Sequence, residues 1–417
     1  MNKRLTLLFL LGLLYHQCPG QPTSLSKQQA TQDVEFFVKT LEAKHPNPTA
    51  NFPNYRAYKD SLIASFSASI ASEDFAKTIC LYANLFQDGH TFASNMKIPD
   101  TAQVLPFDVA MKNNRFFILN SLHKDFSTEY KGAEIIGING TSIRDVINLA
   151  MPFAGGETEA HQLARLAYSF AGFVYRVMGE ITEVNLQQEG KHVSIRPPLI
   201  DRAQWLQKSI STNRPVFDYQ NIDEKTSLIL FTDMSNLSKK EFSQFLDKTF
   251  QGIKNSNTEN LIIDLRHNGG GNFLYGQMLL AYLTDKPYTV HNKYQYDMDG
   301  KKTNPKMFEI KPENQKNRFV GNVYFLTSPY TYSSAASMIA AVKFNKIGQI
   351  IGTPIGQPYA GFIDMTTFTL PNSKLLCGTS TVYYEYAGAT DSNKNLGIEP
   401  DVDTAEDALS YVLDKLK

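Results

Sequence analysis

The spacing of apolar positions predicts a helix near the start of the chain. Val34, Phe37, Val38 and Leu41 recur at i, i+3, i+4 and i+7, which places them on one face of a helix with 3.6 residues per turn. Pro46 should end this helix, because its ring cannot continue the hydrogen-bond ladder.

A second helix is predicted from Ser72, a residue type that favours the N-cap position. Its apolar side consists of Phe75, Ile79, Tyr82 and Phe86. Gly89 suits the left-handed position just past a helix end, so Asp88, Gly89 and His90 should lie at an abrupt helix exit. We therefore expect 21–95 to be a helical N-terminal region.

Short strands are predicted between 96 and 200. The run 132–140, Gly-Ala-Glu-Ile-Ile-Gly-Ile-Asn-Gly, is a strand entering an Asn-Gly turn, and a helix should follow from Ser142. A further hairpin should turn at Glu189-Gly190. This strand, turn and helix resemble the core of a PDZ domain, which binds chain termini by adding a peptide strand to a sheet edge. We predict a PDZ-like, β-rich domain over 96–200.

Strands and helices alternate from 221 to 417, which is typical of βαβ units around a mostly parallel sheet. The apolar runs 228–231, 261–265 and 323–326 are typical of strands buried on both faces. A terminal helix should begin at Thr404. The predicted fold class is α/β, with 221–417 as one domain.

Composition narrows the possible functions. The chain has 417 residues, of which 42% are hydrophobic, enough for two or three domains with buried cores. Its 41 basic and 41 acidic side chains balance, whereas nucleic-acid binding needs a clustered basic surface. We therefore exclude nucleic acid as a partner.

Residues 1–20 are typical of a secretory signal peptide. Lys3 and Arg4 precede the mostly apolar stretch 5–14, which is shorter than the roughly 20 residues that a bilayer requires. We expect cleavage after Gly20, no membrane span later in the chain, and export to the periplasm or the extracellular space. Lipid attachment at Cys18 is the alternative, although the residues before it are not small.

The cysteines give no sign of a metal site or a disulfide framework. Cys18, Cys80 and Cys377 have no C-x-x-C spacing. A bridge between Cys80 and Cys377 is possible, but two buried thiols are the preferred interpretation. We expect neither a metal nor a cofactor, because the sequence contains no motif for either.

Two junctions between a strand and a helix carry candidate chemistry. The run 264–271, Asp-Leu-Arg-His-Asn-Gly-Gly-Gly, follows an apolar strand, and its glycines would let backbone N–H groups approach a ligand oxygen. The run 331–336, Thr-Tyr-Ser-Ser-Ala-Ala, opens a helix after another strand. A serine there is most simply an N-cap. However, ligands bind at the carboxyl ends of parallel strands, and a hydroxyl beside backbone donors suits acyl transfer.

These motifs resemble those of one serine-peptidase family, the tail-specific (C-terminal-processing) proteases and the tricorn core protease. The shared motifs are Asp-Leu-Arg-x-Asn-x-Gly-Gly, Thr-x-Ser-[Ser/Ala]-Ala about sixty residues later, Ile-Gly-Thr-Pro at 351–354, Gly-x-x-Pro-Asp at 397–401, and Asp-Gly-His-Thr at 88–91. The last motif indicates the tricorn-like branch. The resemblance implies a Clp protease/crotonase-like catalytic domain.

The resemblance also implies roles for particular residues. Ser333 takes the position of the nucleophile, and the backbone N–H groups of Ser334 and of Gly270 or Gly271 would form the oxyanion hole. The catalytic lysine of the tail-specific members falls on Gln357 or Pro358 here, so no lysine is available.

The missing lysine points to a histidine base, as in the tricorn-like branch. His90 is the candidate, and His267, inside the glycine turn, is its rival. The tricorn core has a glutamate near the Gly-x-x-Pro-Asp motif that this chain lacks, so Asp391 or Glu385 would have to orient the catalytic network.

The sequence thus favours an exported serine endopeptidase acting on polypeptide or peptide substrates through an acyl-enzyme on Ser333, with His90 as general base. The alternative is a catalytically weak or inactive peptide-binding protein on the same fold. Acyl-thioester chemistry is a third hypothesis and rests on fold analogy alone. The oligomeric state and the natural substrate stay open.

Overall fold

The computed structural model describes residues 22–417 apart from 95–97, 127, 236, 295–304 and 405. The predicted signal peptide and Cys18 lie outside the described residues. Residues 22–213 and 364–382 form one compact unit, here called the N-terminal unit, and residues 214–363 and 383–417 form the C-terminal unit. The finer division into 21–95, 96–200 and 221–417 stays a prediction.

The helices of the N-terminal unit are α1 (Lys27–Lys44), α2 (Tyr55–Ser65), α3 (Ser72–Asn84), α4 (Ile143–Ala154), α5 (Glu159–Tyr168), α6 (Phe170–Met178), α7 (Arg202–Lys208) and α8 (Ile210–Asn213). Its strands are β1 (Ser24–Ser26), β2 (Ser69–Ala71), β3 (Phe92–Ala93), β4 (Gln103–Val104), β5 (Phe107–Lys112), β6 (Arg115–Ser121), β7 (Glu134–Ile138), β8 (Thr141–Ser142), β9 (Val184–Gln188), β10 (Lys191–Ile195) and β11 (Ile200–Asp201).

The helices of the C-terminal unit are α9 (Lys239–Asn255), α10 (Phe273–Leu280), α11 (Ser334–Asn345) and α12 (Ala408–Leu416). The strands that follow β11 in the chain are β12 (Phe217–Asn221), β13 (Thr226–Phe231), β14 (Asn260–Asp264), β15 (Tyr288–Tyr294), β16 (Lys306–Ile310), β17 (Asn322–Thr327), β18 (Gln349–Gly352), β19 (Ala360–Thr369), β20 (Leu376–Tyr386) and β21 (Val402–Asp403).

Helix α1 confirms the first periodicity. The four predicted face residues are all buried, and the helix ends at Lys44, two residues before Pro46. Ser26 and Gln29 close a capping box at its start. The α1 face packs with α3 into a core that also contains Leu370, Leu375 and Cys377.

The predicted cap of α3 is wrong. Ser72 is the first helical residue and its hydroxyl donates to the Pro22 carbonyl at 2.6 Å, while Ala71 occupies the N-cap. The left-handed residue after the helix is Gln87, with φ of 49°, and not Gly89. The chain tightens into three-residue turns after Asn84, so the reversal occurs earlier than the glycine suggested.

The middle of the N-terminal unit is an antiparallel sheet in the order β10-β9-β7-β6-β5, with β8 paired to β7. Asn139 and Gly140 have φ of 49° and 74°, and the Glu189-Gly190 turn has the same character. Both predicted hairpins are therefore confirmed. Ser142 caps α4 by accepting the Asp145 N–H, as its position predicted.

The C-terminal unit is built on one sheet in the order β12-β13-β14-β17-β18-β21, parallel except for β12. Alternate residues of β13, β14 and β17 enter two separate cores. One core contains residues of α9, α10 and α11, and the other contains residues of α12. This burial on both faces explains the continuous apolar runs.

The terminal helix begins later than predicted. Helix α12 starts at Ala408 rather than Thr404, because Asp407 is the residue that caps it by accepting the Ser410 N–H at 2.9 Å. No helix among the described residues is long and apolar enough to cross a membrane. Cys80 and Cys377 are buried thiols that no disulfide joins, as preferred above.

A fully buried carboxylate fastens α1 to the β19–β20 hairpin. Asp33 accepts the N–H groups of Asn372 and Ser373 at 2.8 and 2.7 Å.

Replacing Asp33 with alanine would leave both donors without an acceptor, so we predict a loss of about 2–4 kcal/mol in the free energy of unfolding. Urea denaturation measures it. Glu35→Ala, on the exposed side of α1, is the control and should change stability by less than about 0.5 kcal/mol. An equal effect of the two substitutions would contradict the assignment.

Candidate active site

Ser333 stands directly before α11, beyond the carboxyl end of β17. It occupies the N-cap position, yet its side chain makes no capping hydrogen bond. Its φ of 52° and ψ of −123° lie in a region that residues other than glycine rarely adopt, at a cost of roughly 1–3 kcal/mol. The explanation of this serine as a helix cap is therefore wrong. Strained turns from strand to helix are a known way to present a nucleophilic serine.

The glycine turn after β14 lies against this serine. Gly270 has φ of +100°, and a Cβ atom at this position would be 2.7 Å from the Cβ of Ser333 and 2.8 Å from the backbone N of Ser334. Only glycine allows that approach. Ser334 also donates its hydroxyl to the Gly271 carbonyl at 2.5 Å. The structure thus brings the two junctions together.

Asn268 organises the turn and was missed from the sequence. Its Oδ1 accepts the Gly270 N–H at 2.9 Å, its Nδ2 donates to the Phe231 carbonyl, and its own carbonyl accepts the Tyr332 N–H at 3.1 Å. Its position in the Asp-Leu-Arg-x-Asn motif was the one sequence feature that could have indicated this role. The Gly270 N–H is therefore already used within the turn.

An ion pair fixes the start of the same turn. Arg266 donates to both carboxylate oxygens of Asp264 at 3.0 and 2.7 Å, and it also contacts Asp407. Burial alone would raise the pKa of Asp264, but the hydrogen bonds and charge of Arg266 outweigh it and hold that pKa below its ordinary value. Ser328, after β17, donates to the Arg266 carbonyl at 2.5 Å, which ties one junction to the other.

His267 is a poor base. Burial, together with the charge of Arg214, lowers the pKa of its imidazole to about 4. A general base works best with a pKa near the operating pH. His267 is therefore an unsuitable proton acceptor near neutral pH.

His90 belongs to the N-terminal unit, in the turn between α3 and β3. The turn is built around Asp88, which is buried and accepts the His90 backbone N–H at 2.9 Å and the Thr91 hydroxyl at 2.6 Å. Nε2 of His45 lies 3.2 Å from Oδ2 of Asp88, the oxygen that also accepts the Thr91 hydroxyl. His45 was missed from the sequence, because nothing in a single chain links residues 43 positions apart.

Asp88 is ionised by its surroundings. Burial raises the pKa of Asp88, but the hydrogen bonds from His45 and Thr91 and the nearby imidazoles lower it by more, so its pKa lies below the ordinary value. Its negative charge is therefore retained at neutral pH and faces the histidines.

Glu157 completes this cluster. A carboxylate oxygen of Glu157, one of Asp88 and a ring nitrogen of His90 all lie within 4.8 Å of one another. Glu157 also accepts the Gly89 N–H at 3.2 Å. One imidazole and two carboxylates could hold a divalent cation. The two carboxylates could equally orient the His90 imidazole. No pattern in the sequence indicated that Glu157 lies beside His90.

Each of the two acids named from the sequence contacts another side chain. The Asp391 side chain is fully exposed and pairs with Lys394 at 3.1 Å. Glu385 accepts the Tyr294 hydroxyl at 2.7 Å.

Comparison with known proteins supports the class of protein that the architecture and this site indicate. Residues 225–404 match the family model of peptidase family S41. This match covers less than half of the chain and includes residues of both units, and it confirms the resemblance to tail-specific and tricorn-like proteases.

Particular relatives agree with this assignment. The tricorn proteases of Thermoplasma volcanium and Thermoplasma acidophilum are both 25% identical, over 223 and 241 residues. These segments are 52% and 55% of this chain but 18% and 20% of the relatives, so the chain spans about a fifth of their length.

Solved structures confirm the fold. Mature CPAF complexed with lactacystin has a TM-score of 0.69 at 15% identity, covering 94% of this chain and 97% of that one. The photosystem II D1 C-terminal processing protease has a TM-score of 0.53 at 11% identity, covering 90% and 93%. The predicted α/β class, with a Clp protease/crotonase-like domain and a PDZ-like region, is confirmed.

The approach of Gly270 to Ser333 gives a test. Gly270→Ala should lower the free energy of unfolding by about 3 kcal/mol, because the new methyl meets Ser333 and Ser334 in addition to the strain of positive φ. Gly132→Ala is the matched control: its φ is +82° with nothing within 4 Å, so only about 1 kcal/mol should be lost. Equal losses in urea denaturation would mean that the turn is not packed against Ser333.

Proposed function

We propose that this chain is a serine peptidase in which Ser333 is the nucleophile. The observation that carries the proposal is the strained Ser333 at the start of α11, packed against the glycine turn. The S41 match over 225–404 supports it. Polypeptides or peptides are the substrate class that this family implies.

In the proposed reaction, the Ser333 hydroxyl attacks a peptide carbonyl and His90 takes its proton. The backbone N–H groups of Ser334 and Gly271 bind the oxyanion. The C–N bond then breaks, and the leaving amine receives the proton from His90. Water hydrolyses the ester on Ser333, with His90 again as base, which restores the enzyme.

We further propose that Asp88 and Glu157 are the acidic partners of His90. Their oxygens lie within 4.8 Å of an imidazole nitrogen and each also accepts a backbone N–H of the same turn. A buried carboxylate holds an imidazole more firmly than an exposed one. Asp391, which is fully exposed, is therefore left out of the mechanism.

Endopeptidase action and export complete the proposal. Export rests on the signal-like sequence of residues 1–20. The PDZ-like sheet of the N-terminal unit supports recognition of extended peptides, because such sheets bind a peptide as an added strand.

One test of the proposed function concerns the nucleophile. Ser333→Ala should reduce hydrolysis of fluorescein-labelled casein by at least about a thousandfold and abolish labelling by a fluorophosphonate probe. Ser238→Ala is the control, since Ser238 also opens a helix of this unit but caps it. Equal hydrolysis by wild type and Ser333→Ala would end the peptidase proposal. Casein binding without hydrolysis in wild type would favour the inactive peptide-binding alternative.

Another test of the proposed function concerns the general base. His90→Ala should slow fluorophosphonate labelling of Ser333 by about 10²–10⁴-fold, the usual contribution of a general base. His267→Ala, which removes the weakly basic imidazole in the glycine turn, should leave the labelling rate within about threefold of wild type. The reverse pattern would assign the base to His267.

A further inference from the structure

Gln357 is one of the two positions, with Pro358, where the catalytic lysine of the tail-specific proteases would fall, and neither residue is a lysine. In the structure it lies in the loop between β18 and β19, with no exposed surface. The loop is fastened on both sides of it. Gly356 donates to the Thr331 carbonyl at 3.1 Å, and Tyr359 donates to the Leu396 carbonyl at 2.9 Å. The backbone on both sides of Gln357 is therefore held in place.

One end of this amide holds the nucleophile. Oε1 of Gln357 accepts the backbone N–H of Ser333 at 3.2 Å. An N–H group can only donate, so the atom facing it has to be the oxygen and the orientation of the amide follows from chemistry. This bond restrains the backbone of Ser333 at the residue where φ is strained.

The other end is a buried donor. Nε2 of Gln357 has no hydrogen-bond partner among the residues that the structure describes. A buried amide donor without an acceptor costs free energy, so its retention beside the nucleophile calls for an explanation. A Cβ at Gly361 would lie 3.5 Å from Nε2, so a larger side chain at this position would pack against the buried donor.

We propose that Gln357 is a substrate-binding and positioning residue of the serine peptidase. Oε1 fixes the Ser333 backbone, and Nε2 donates a hydrogen bond to a carbonyl oxygen of the bound peptide. Backbone carbonyls are the acceptors that every peptide substrate offers, whatever its sequence. This inference rests on the proposed function, since it assigns Gln357 to the substrate of Ser333.

The decisive variant is Gln357→Glu. As a neutral acid, the introduced carboxyl can still accept from Ser333 and donate to the peptide; once ionised, it can only accept. Burial places its pKa above the ordinary value of about 4.3. We expect the KM for fluorescein-labelled casein to rise about tenfold, relative to wild type in the same buffers, as the pH is raised from 5 to 9.

A purely structural role gives the opposite result. An ionised carboxylate accepts the Ser333 N–H at least as well as an amide, so the KM of Gln357→Glu would follow that of wild type at every pH. That outcome, or a buried water as the only partner of Nε2, would overturn the proposal. Gln357→Met removes both ends of the amide and should raise KM and also slow fluorophosphonate labelling of Ser333.

Two further measurements keep the test decisive. If Gln357→Glu does not fold, Gly361→Val is the second variant: Nε2 is the one contact recorded within 4 Å of a Cβ at this position. It should raise KM while the labelling rate stays unchanged. An unchanged KM would overturn the proposal.

If the chain hydrolyses nothing, the proposed function fails separately. The pH comparison is then made on the dissociation constant of the same casein for Ser333→Ala with and without Gln357→Glu, by fluorescence anisotropy.

Discussion

The candidate site depends on one close approach of two backbones. The glycine turn after β14 and the start of α11 lie so near that a single Cβ at Gly270 would collide with Ser333 and Ser334. Parallel pairing of β14 with β17 brings these junctions to one edge of the sheet, and the absence of a side chain lets them close. Across the gap, the Asn268 carbonyl accepts the Tyr332 N–H, and Ser328 donates to the Arg266 carbonyl. Gln357 accepts the Ser333 N–H from the loop after β18. The strained conformation of Ser333 persists because this surrounding network determines it.

The sequence predicted those parts of the fold that local rules govern. The α1 face, the Asn139-Gly140 turn and the buried strands of the parallel sheet follow from periodicity and turn chemistry, and all are present. Element ends were less predictable, because caps depend on which partner is near. Ser72 bonds to the distant Pro22 carbonyl and so does not cap α3, while Asp407 starts α12 four residues late.

The site was predictable only where a motif recorded it. Ser333, Gly270 and His90 were named from motifs, and the structure places the first two against each other. His45 and Glu157 contact the turn that carries His90, but they come from distant positions in the chain, and no spacing rule links them. Gln357 was noted from the sequence only as one of two positions at which the family's lysine is absent. The structure adds what the glutamine bonds to, the backbone N–H of Ser333.

The N-terminal unit is made from two separate stretches of chain, and this has a consequence for biogenesis. Strand β3, just after His90, pairs with Cys377 and Gly378, and Thr91 hydrogen-bonds with Thr379 and Ser380. Residues 377–380 lie about 290 positions after His90 in the sequence. They are therefore synthesised after Ser333. The histidine turn therefore cannot be completed in a nascent or truncated polypeptide. Ser333 and the completed histidine turn are therefore present together only in a nearly full-length chain.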